Sequence, residues 1–261
     1  MKVVIFCGGL GTRLREYSET IPKPLVNIGE RPIIWHLMKY YAHFGHKDFI
    51  LCLGYRGDLI KSYFLNYNEC DSNNFVLSEN GRKIELFNED TTDWRITFVD
   101  TGAKSNIGQR LKAVEKHLDG EEVFLANYSD GLSDYPLNSQ IDLFMTTDAV
   151  ASFVGVRPSQ SFHTVSVGDD SRVTSIDTVT SSDIWINGGF FILRHEIFSY
   201  MQPGDELVEA PFQRLIKERK LLASKYNGFW SSMDNFKDKK QFDELYESGQ
   251  RPWQVWQNNV N

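Results

Sequence analysis

Four apolar residues in succession, Val3 to Phe6, open the chain as a β-branched and aromatic run, the pattern of a strand buried on both faces. The next segment, "PIIWHLMKYYAHFG", sets Ile33, Ile34, Leu37, Met38 and Tyr41 at helical spacing, with Pro32 at the first turn and Gly45 as a stop. "DFILCLGY" predicts a second buried strand and "DLIKSYFLNY" a second helix; "WRITFVD" and "EVFLANYSD" predict further strands, separated by the amphipathic "GQRLKAVEKHL". Strand and helix alternate through about residue 156, which argues for a mainly parallel sheet covered by helices. The pattern then changes. From "AVASFVGV" through "TVSVGDDSRVTSI" to "IWINGGFFILR" the chain is strand-rich with short turn signals such as Gly168-Asp169-Asp170, so antiparallel or mixed strands are expected. Helical patterns return at "EAPFQRLIKERK" and "FKDKKQFDELYES", and residues 68–92 are polar and read as an excursion. One α/β domain with insertions accounts for all of this.

Composition narrows the partners. Hydrophobic residues make up 41% and charged residues 24% of 261 positions, ordinary for a soluble globular chain. A net charge of -7 offers no overall attraction to nucleic acid or anionic lipid, so any phosphate must be handled at a focused site. Cys7, Cys52 and Cys70 form neither a disulfide framework nor a zinc pattern, and the cytoplasm is the simple reading. The N-terminal apolar run reads as a first strand rather than an export signal or a membrane span.

Chemistry concentrates where that strand ends. Gly8, Gly9 and Gly11 form a glycine-rich turn able to present backbone N–H groups to phosphate oxygens. The dinucleotide fingerprint fails, because Leu14 stands at its third glycine, and the P-loop pattern is absent. What remains is Arg13 in the loop and Lys23 held between Pro22 and Pro24, a set suited to a triphosphate and its in-line displacement. Asp130 and Asp234 each stand where a strand should end, positions that suit a metal ligand as well as a turn residue or helix cap. Asp100 and Asp134 keep a structural reading, as do the six histidines, which show no metal spacing.

"GGLGTRL", "PKPLVNIGERPIIWHLMKYY" and "GYRGDLIKSYFLNY" resemble the sugar-phosphate nucleotidyltransferases, and within them the glucose-1-phosphate cytidylyltransferases. The resemblance continues through "VDTGAKSNIGQRLKAV", "YSDGLSD", "INGGFFIL" and "GFWSSMDNFKDKKQFDELYESGQRPW", nearly the whole chain. It implies a single Rossmann-like nucleotidyltransferase domain over residues 1–261, with a mainly parallel mixed sheet flanked by helices. A nucleotide-binding half would span about 1–135 and a strand-rich acceptor-binding half about 136–261. Gly8, Gly9, Leu10, Gly11, Thr12 and Arg13 would hold CTP, with Gly108 and Arg110 near the base. Lys23, Arg13 and Asp130 would carry catalysis, and Asp130 and Asp234 would share one Mg²⁺. Asn187, Gly188, Thr178 and Trp230 would meet a phosphorylated small-molecule acceptor, although the cluster of Phe229, Trp230, Trp253 and Trp256 also reads as core cover or a subunit contact. A homo-oligomer, a trimer or a hexamer built from trimers, is implied too.

Two departures fall in the acceptor half. Where the family carries Glu-Lys-Pro, whose lysine meets the sugar phosphate, this chain has Thr178, Val179 and Thr180; where it often has Arg-Phe-Gly, this chain has Ser161, Phe162 and His163. A missing cation at a phosphate site is a substantial loss. The expectation is therefore a CTP-using enzyme whose acceptor could differ from glucose 1-phosphate, with Arg157, Arg172, Lys104 or a neighbouring subunit supplying the anchoring charge. A nucleotide-binding homologue without transfer activity and, more remotely, a dinucleotide-dependent oxidoreductase are the alternatives.

Overall fold

The computed structural model describes residues 1–9, 21–158, 162–179 and 183–257. Val3 to Phe6 form β1 (Lys2–Phe6), which pairs in parallel on one side with β4 (Asp48–Leu53) and on the other with β8 (Val123–Tyr128). Pairing on both sides and burial on both faces explain the uninterrupted apolar run. Val3, Ile5 and Cys7 enter one core layer and Val4 and Phe6 the other, as a period-two backbone requires. β7 (Arg95–Asp100) continues the parallel sheet beyond β4.

On the far side of β8 the pattern changes as the sequence predicts. β14 (Phe191–Arg194) pairs antiparallel with both β8 and β10 (Ala151–Val156), and the short β13 (Ile186–Asn187) extends the same edge of β10. β15 (Leu221–Tyr226) adds in parallel to the other edge of β10. One face of this sheet packs against α1 (Ile33–His43), α2 (Gly57–Leu65), α4 (Leu137–Met145) and α6 (Phe236–Glu247); the other packs against α3 (Ile107–Val114) and α5 (Ala210–Lys217). This is a Rossmann-like three-layer arrangement. The sequence pattern shows neither α4 nor β15.

Four small ladders lie outside the main sheet: β2 (Asn27–Ile28) with β3 (Arg31–Pro32), β5 (Phe75–Ser78) with β6 (Lys83–Leu86), β9 (Gly131–Ser133) with β16 (Trp230–Ser232), and β11 (His163–Val167) with β12 (Val173–Thr178). The excursion at 68–92 thus holds the β5–β6 hairpin, and the Gly168 turn joins β11 to β12. Among the described residues no helix is long and apolar enough to cross a membrane.

Candidate active site

The sheet changes direction of growth between β1 and β8, because β4 and β7 extend one way and β8 the other. Ligands of open α/β sheets bind outside the strand ends at such a point. Cys7, Gly8 and Gly9 leave β1 there, with Cys7 N–H still donating to Cys52 O at 3.0 Å. A side chain at Gly8 would run into the Arg110 guanidinium. Gly54 follows β4 as Gly8 follows β1, and a Cβ on it would stand 2.8 Å from both Arg110 Nη1 and Gly8 Cα.

Arg110 occupies that tight space because α3 starts where it does. Asn106 caps the helix, accepting from Gln109 N–H at 2.8 Å, while Gln109 Oε1 accepts from Asn106 N–H at 2.9 Å. One turn on, Arg110 is 2% exposed and donates from Nη1 to Leu53 O (3.1 Å) and Thr101 Oγ1 (2.8 Å), and from Nη2 to Gly8 O (2.8 Å). Its guanidinium ties together the ends of β1 and β4. Its contact with the glycine turn is the hydrogen bond to Gly8 O.

Lys23 begins a 3-10 turn, Lys23–Leu25, between Pro22 in extended backbone and the buried Pro24. The prolines restrict the backbone on both sides, so the side chain has a fixed origin. Its ammonium lies 2.5 Å from Asp130 Oδ2 and 2.8 Å from Asp234 Oδ1, and the side chain is 14% exposed. Burial pulls the ammonium's pKa down; the Asp130 charge and hydrogen bond, then the hydrogen bond and charge of Asp234, overcome this and hold it above the ordinary lysine value.

The two aspartates, 104 positions apart, meet because β9 and β16 pair. Ser232 stands opposite Gly131, and Met233 N–H donates to Asp130 O at 2.9 Å, so the ladder's end carries one carboxylate on each strand. Asp234 is fixed further by the start of α6, where Asp238 Oδ2 accepts from Asp234 N–H (2.8 Å) and Asn235 N–H (3.0 Å). Ser232 Oγ donates to Asp234 Oδ2 at 2.9 Å. Two hard oxygens converging on one cation fit Mg²⁺, which commonly takes one or two protein carboxylates and completes its shell with water and phosphate oxygens. Among the described residues no group of three or more His, Cys, Asp or Glu gathers as a closed metal cage.

Beside the aspartates lies a cavity of about 350 Å³, lined by Tyr128, Asp130, Asn187, Gly188, Trp230 and Asp234 among others. Its far wall is shaped by strained backbone: Gly189 (φ 80°) and Phe190 (φ 51°) both take left-handed conformations, and Asn127 Oδ1 holds the bend by accepting from Phe190 N–H at 3.0 Å. Asn187 donates to the Tyr128 hydroxyl at 3.1 Å and accepts from Gly189 N–H at 2.9 Å; Trp230 Nε1 donates to Gly188 O at 2.8 Å. Burial pushes the Tyr128 phenol up to about 12, so it stays a neutral donor.

The structure thus brings Gly8, Lys23, Asp130, Asp234, Asn187, Gly188 and Trp230 to one end of the sheet. Leu10, Gly11, Thr12 and Arg13, together with Ser161 and Thr180, lie outside the described residues. Gly108 lies at the start of α3, where a Cβ would collide with Asp205 O, so its glycine lets the helix pack closely on that backbone. Thr178 pairs with His163 at the end of the β11–β12 hairpin and does not line the cavity. Asp134 accepts from the Tyr226 hydroxyl at 2.6 Å and Asp100 from Gly102 N–H at 3.0 Å, both structural uses. Sequence reasoning missed Gly54, Tyr128 and Asn127; Gly54 carried the same signal as Gly8, a glycine directly after a buried apolar strand. A larger cavity of about 630 Å³ lies away from this site, between α1 and the 68–90 excursion. Of its acids, Asp90 is already engaged by Lys39, Ser72 and Asn73.

Comparison with known proteins shows the family. Residues 2–237 match the family model described as "Nucleotidyl transferase". A Bacillus subtilis (strain 168) protein named "Probable glucose-1-phosphate cytidylyltransferase" is 38% identical over 98% of this chain and 100% of its own length. The glucose-1-phosphate cytidylyltransferase of Salmonella typhi is 37% identical with the same coverage. Among solved structures, UDP-glucose pyrophosphorylase complexed with UDP-glucose superposes with a TM-score of 0.68 at 17% identity, covering 95% of this chain and 98% of that one. HddC from Yersinia pseudotuberculosis gives 0.65 at 22% identity, with 94% and 99% covered. At those identities the structures speak for the fold alone.

Proposed function

We propose, from the premise that this chain belongs to the nucleotidyltransferase family and within it to the glucose-1-phosphate cytidylyltransferases, that it transfers CMP from CTP to a sugar 1-phosphate and releases pyrophosphate. The observation that carries the reading is the Lys23 ammonium held between Asp130 and Asp234 beside the glycine turn. A protein that only bound nucleotide would have no need of a lysine and two carboxylates converging at the switch point.

In this reaction a phosphate oxygen of the sugar 1-phosphate forms a bond to the α-phosphorus of CTP, and the bond from that phosphorus to the bridging oxygen of pyrophosphate breaks. No covalent enzyme intermediate is needed, so catalysis reduces to placement and charge. Gly8 and Gly9 allow close backbone approach to the phosphates, and Arg110 holds that turn rigid. Lys23 neutralises charge developing at the α-phosphate. Asp130 and Asp234 would hold Mg²⁺, which when bound supplies charge neutralisation and orientation to the triphosphate.

The sugar enters the cavity walled by Asn187, Gly188 and Trp230. For its phosphate, Arg157 and Lys225 replace the lost Glu-Lys-Pro lysine. Both cations lie over the Trp185 ring, at 4.5 Å and 4.9 Å, and share one nearby acid, Asp183, at 3.7 Å and 4.0 Å. Lys225 pairs across Gly155 with Asn187 on the sheet, so this cationic edge continues the cavity wall. The apolar residues left outside on the β11–β12 hairpin, Val165, Val167 and Ile176 among them, support contact between copies of the chain in a homo-oligomer.

The test is pyrophosphate release with Mg²⁺ and each of the four common nucleoside triphosphates, with and without glucose 1-phosphate, the product identified by mass. Release with CTP that depends on a sugar 1-phosphate is the expected result. CTP binding without acceptor-dependent release for any sugar 1-phosphate would overturn the assignment.

A further inference from the structure

We infer that Lys23 is an internal place-holder for the divalent cation, and that the site exchanges the two: the ammonium leaves Asp130 and Asp234 for the triphosphate as the metal takes the carboxylates. This rests on the proposed function for the identity of the incoming ligands. Its geometric basis is that a single ammonium nitrogen makes both contacts, at 2.5 Å and 2.8 Å, and so stands between the oxygens a metal would bridge. Two of the ammonium's three N–H donors are spent on the carboxylates, and its nitrogen fills the space between them in which a cation held by both would sit. Keeping it there beside a bare divalent ion would set three positive charges against two negative ones in a half-buried site, an imbalance that only the phosphates of an incoming nucleotide would relieve.

The charge count sets the order of events. Two carboxylates and one ammonium leave the cluster with a single negative charge, already satisfied by hydrogen bonds from Lys23 and Ser232. A bare divalent ion gains those carboxylates only by expelling a lysine whose ion pairs among the described residues are with those same two acids. A metal–nucleotide complex brings another anion with it. The released side chain then moves on its flexible four-carbon stem from a backbone held by Pro22 and Pro24, so the exchange needs no loop rearrangement. The carboxylates are never left unpaired, and the lysine is delivered to the triphosphate by the event that loads the metal.

The test uses Mn²⁺ as the probe, its free fraction read by electron paramagnetic resonance, on nucleotide-free full-length protein. Wild type is expected to bind Mn²⁺ weakly, and Lys23→Met to bind one ion per chain at least about tenfold more tightly, because removing the resident cation leaves two carboxylates to share. The double variant Lys23→Met/Asp130→Asn should lose that gain. Thermal melting supplies a second readout: Mn²⁺ should restore stability lost in Lys23→Met while leaving wild type unmoved. If Lys23→Met does not fold without metal, Lys23→Gln refolded with and without Mn²⁺ replaces it. Equal, tight Mn²⁺ binding by wild type and Lys23→Met, lost with Asp130→Asn, would overturn the exchange and leave the metal reading standing. Failure of every variant to hold Mn²⁺ even with CTP would overturn both.

Discussion

The two sides of the switch point are built differently. On the side of β1 and β4, proposed for the nucleotide, Gly8, Gly54 and Arg110 are fitted so closely that a methyl group at Gly8 has no room, and Arg110 and Lys23 are each spent on named partners. On the acceptor side, Val165, Val167 and Ile176 are 52%, 59% and 62% exposed on a hairpin outside the main sheet, and Arg157 and Lys225 stand near the surface over Trp185. The first side is preorganised by packing, as charge stabilisation in phosphoryl chemistry requires. Under the proposed function the second would meet its ligand with a few surface charges and one strained bend, so its specificity could change without disturbing the chemistry. The loss of the family's lysine from the Thr178 segment, with Lys23 and both aspartates retained, is that difference written in the sequence.

Four variants, one of them double, probe the molecule. Asp130→Asn should lower turnover about a thousandfold while the melting temperature stays close to wild type, since it removes a charge that serves the reacting phosphates. A steady-state rate within tenfold of wild type would remove Asp130 from the chemistry. Gly8→Ala should cost about 2–3 kcal/mol, because the new methyl group displaces the Arg110 guanidinium from carbonyls it satisfies; the melting temperature should fall by about 5–10 °C. Calorimetry showing no change would mean that Arg110 has slack the geometry does not reveal.

The third probe is pH. Burial pulls His36 down to about 4, with its ring contacting Ile28 O at 3.0 Å through Nε2 and accepting from Trp253 Nε1 at Nδ1 (3.4 Å). Protonation at Nδ1 would set two donors against each other. The folded pKa lies below the unfolded one, so the unfolded chain takes up the proton first. This contribution is intact above about pH 6.5 and lost as pH falls toward 4, about 2 kcal/mol by pH 5. Denaturant melts at pH 7 and 5 should show that acid loss in wild type and a smaller one in His36→Gln. The smallest effect belongs to the acceptor side. Arg157→Ala with Lys225→Ala should raise KM for the sugar 1-phosphate about tenfold with kcat and CTP binding little changed. A loss in kcat instead of KM would move these cations into the transition state.

Much of the architecture is legible along the chain because its signals are local. Val3 to Phe6 announce a doubly buried strand and Ile33 to Tyr41 a helix face, each from residues near one another in sequence. α4 escaped notice because only Leu137, Gln140 and Phe144 bury on a nine-residue helix, too few turns for a clear period. β15 escaped because "LLASKY" alternates weakly and becomes a strand through the open parallel edge β10 offers it.

The site divides in the same way. Residue types could be read directly: glycines after β1, a lysine between prolines, an arginine in α3 and aspartates at strand ends. Their partnerships could not. That Asp130 and Asp234 share one ammonium follows from the β9–β16 ladder, and that Arg110 holds Gly8 follows from where α3 crosses the ends of β1 and β4. A local pattern is set by steric and hydrophobic periodicity over a few residues, whereas contacts across a hundred positions depend on which strand edges meet, and strand order is a property of the whole packed sheet.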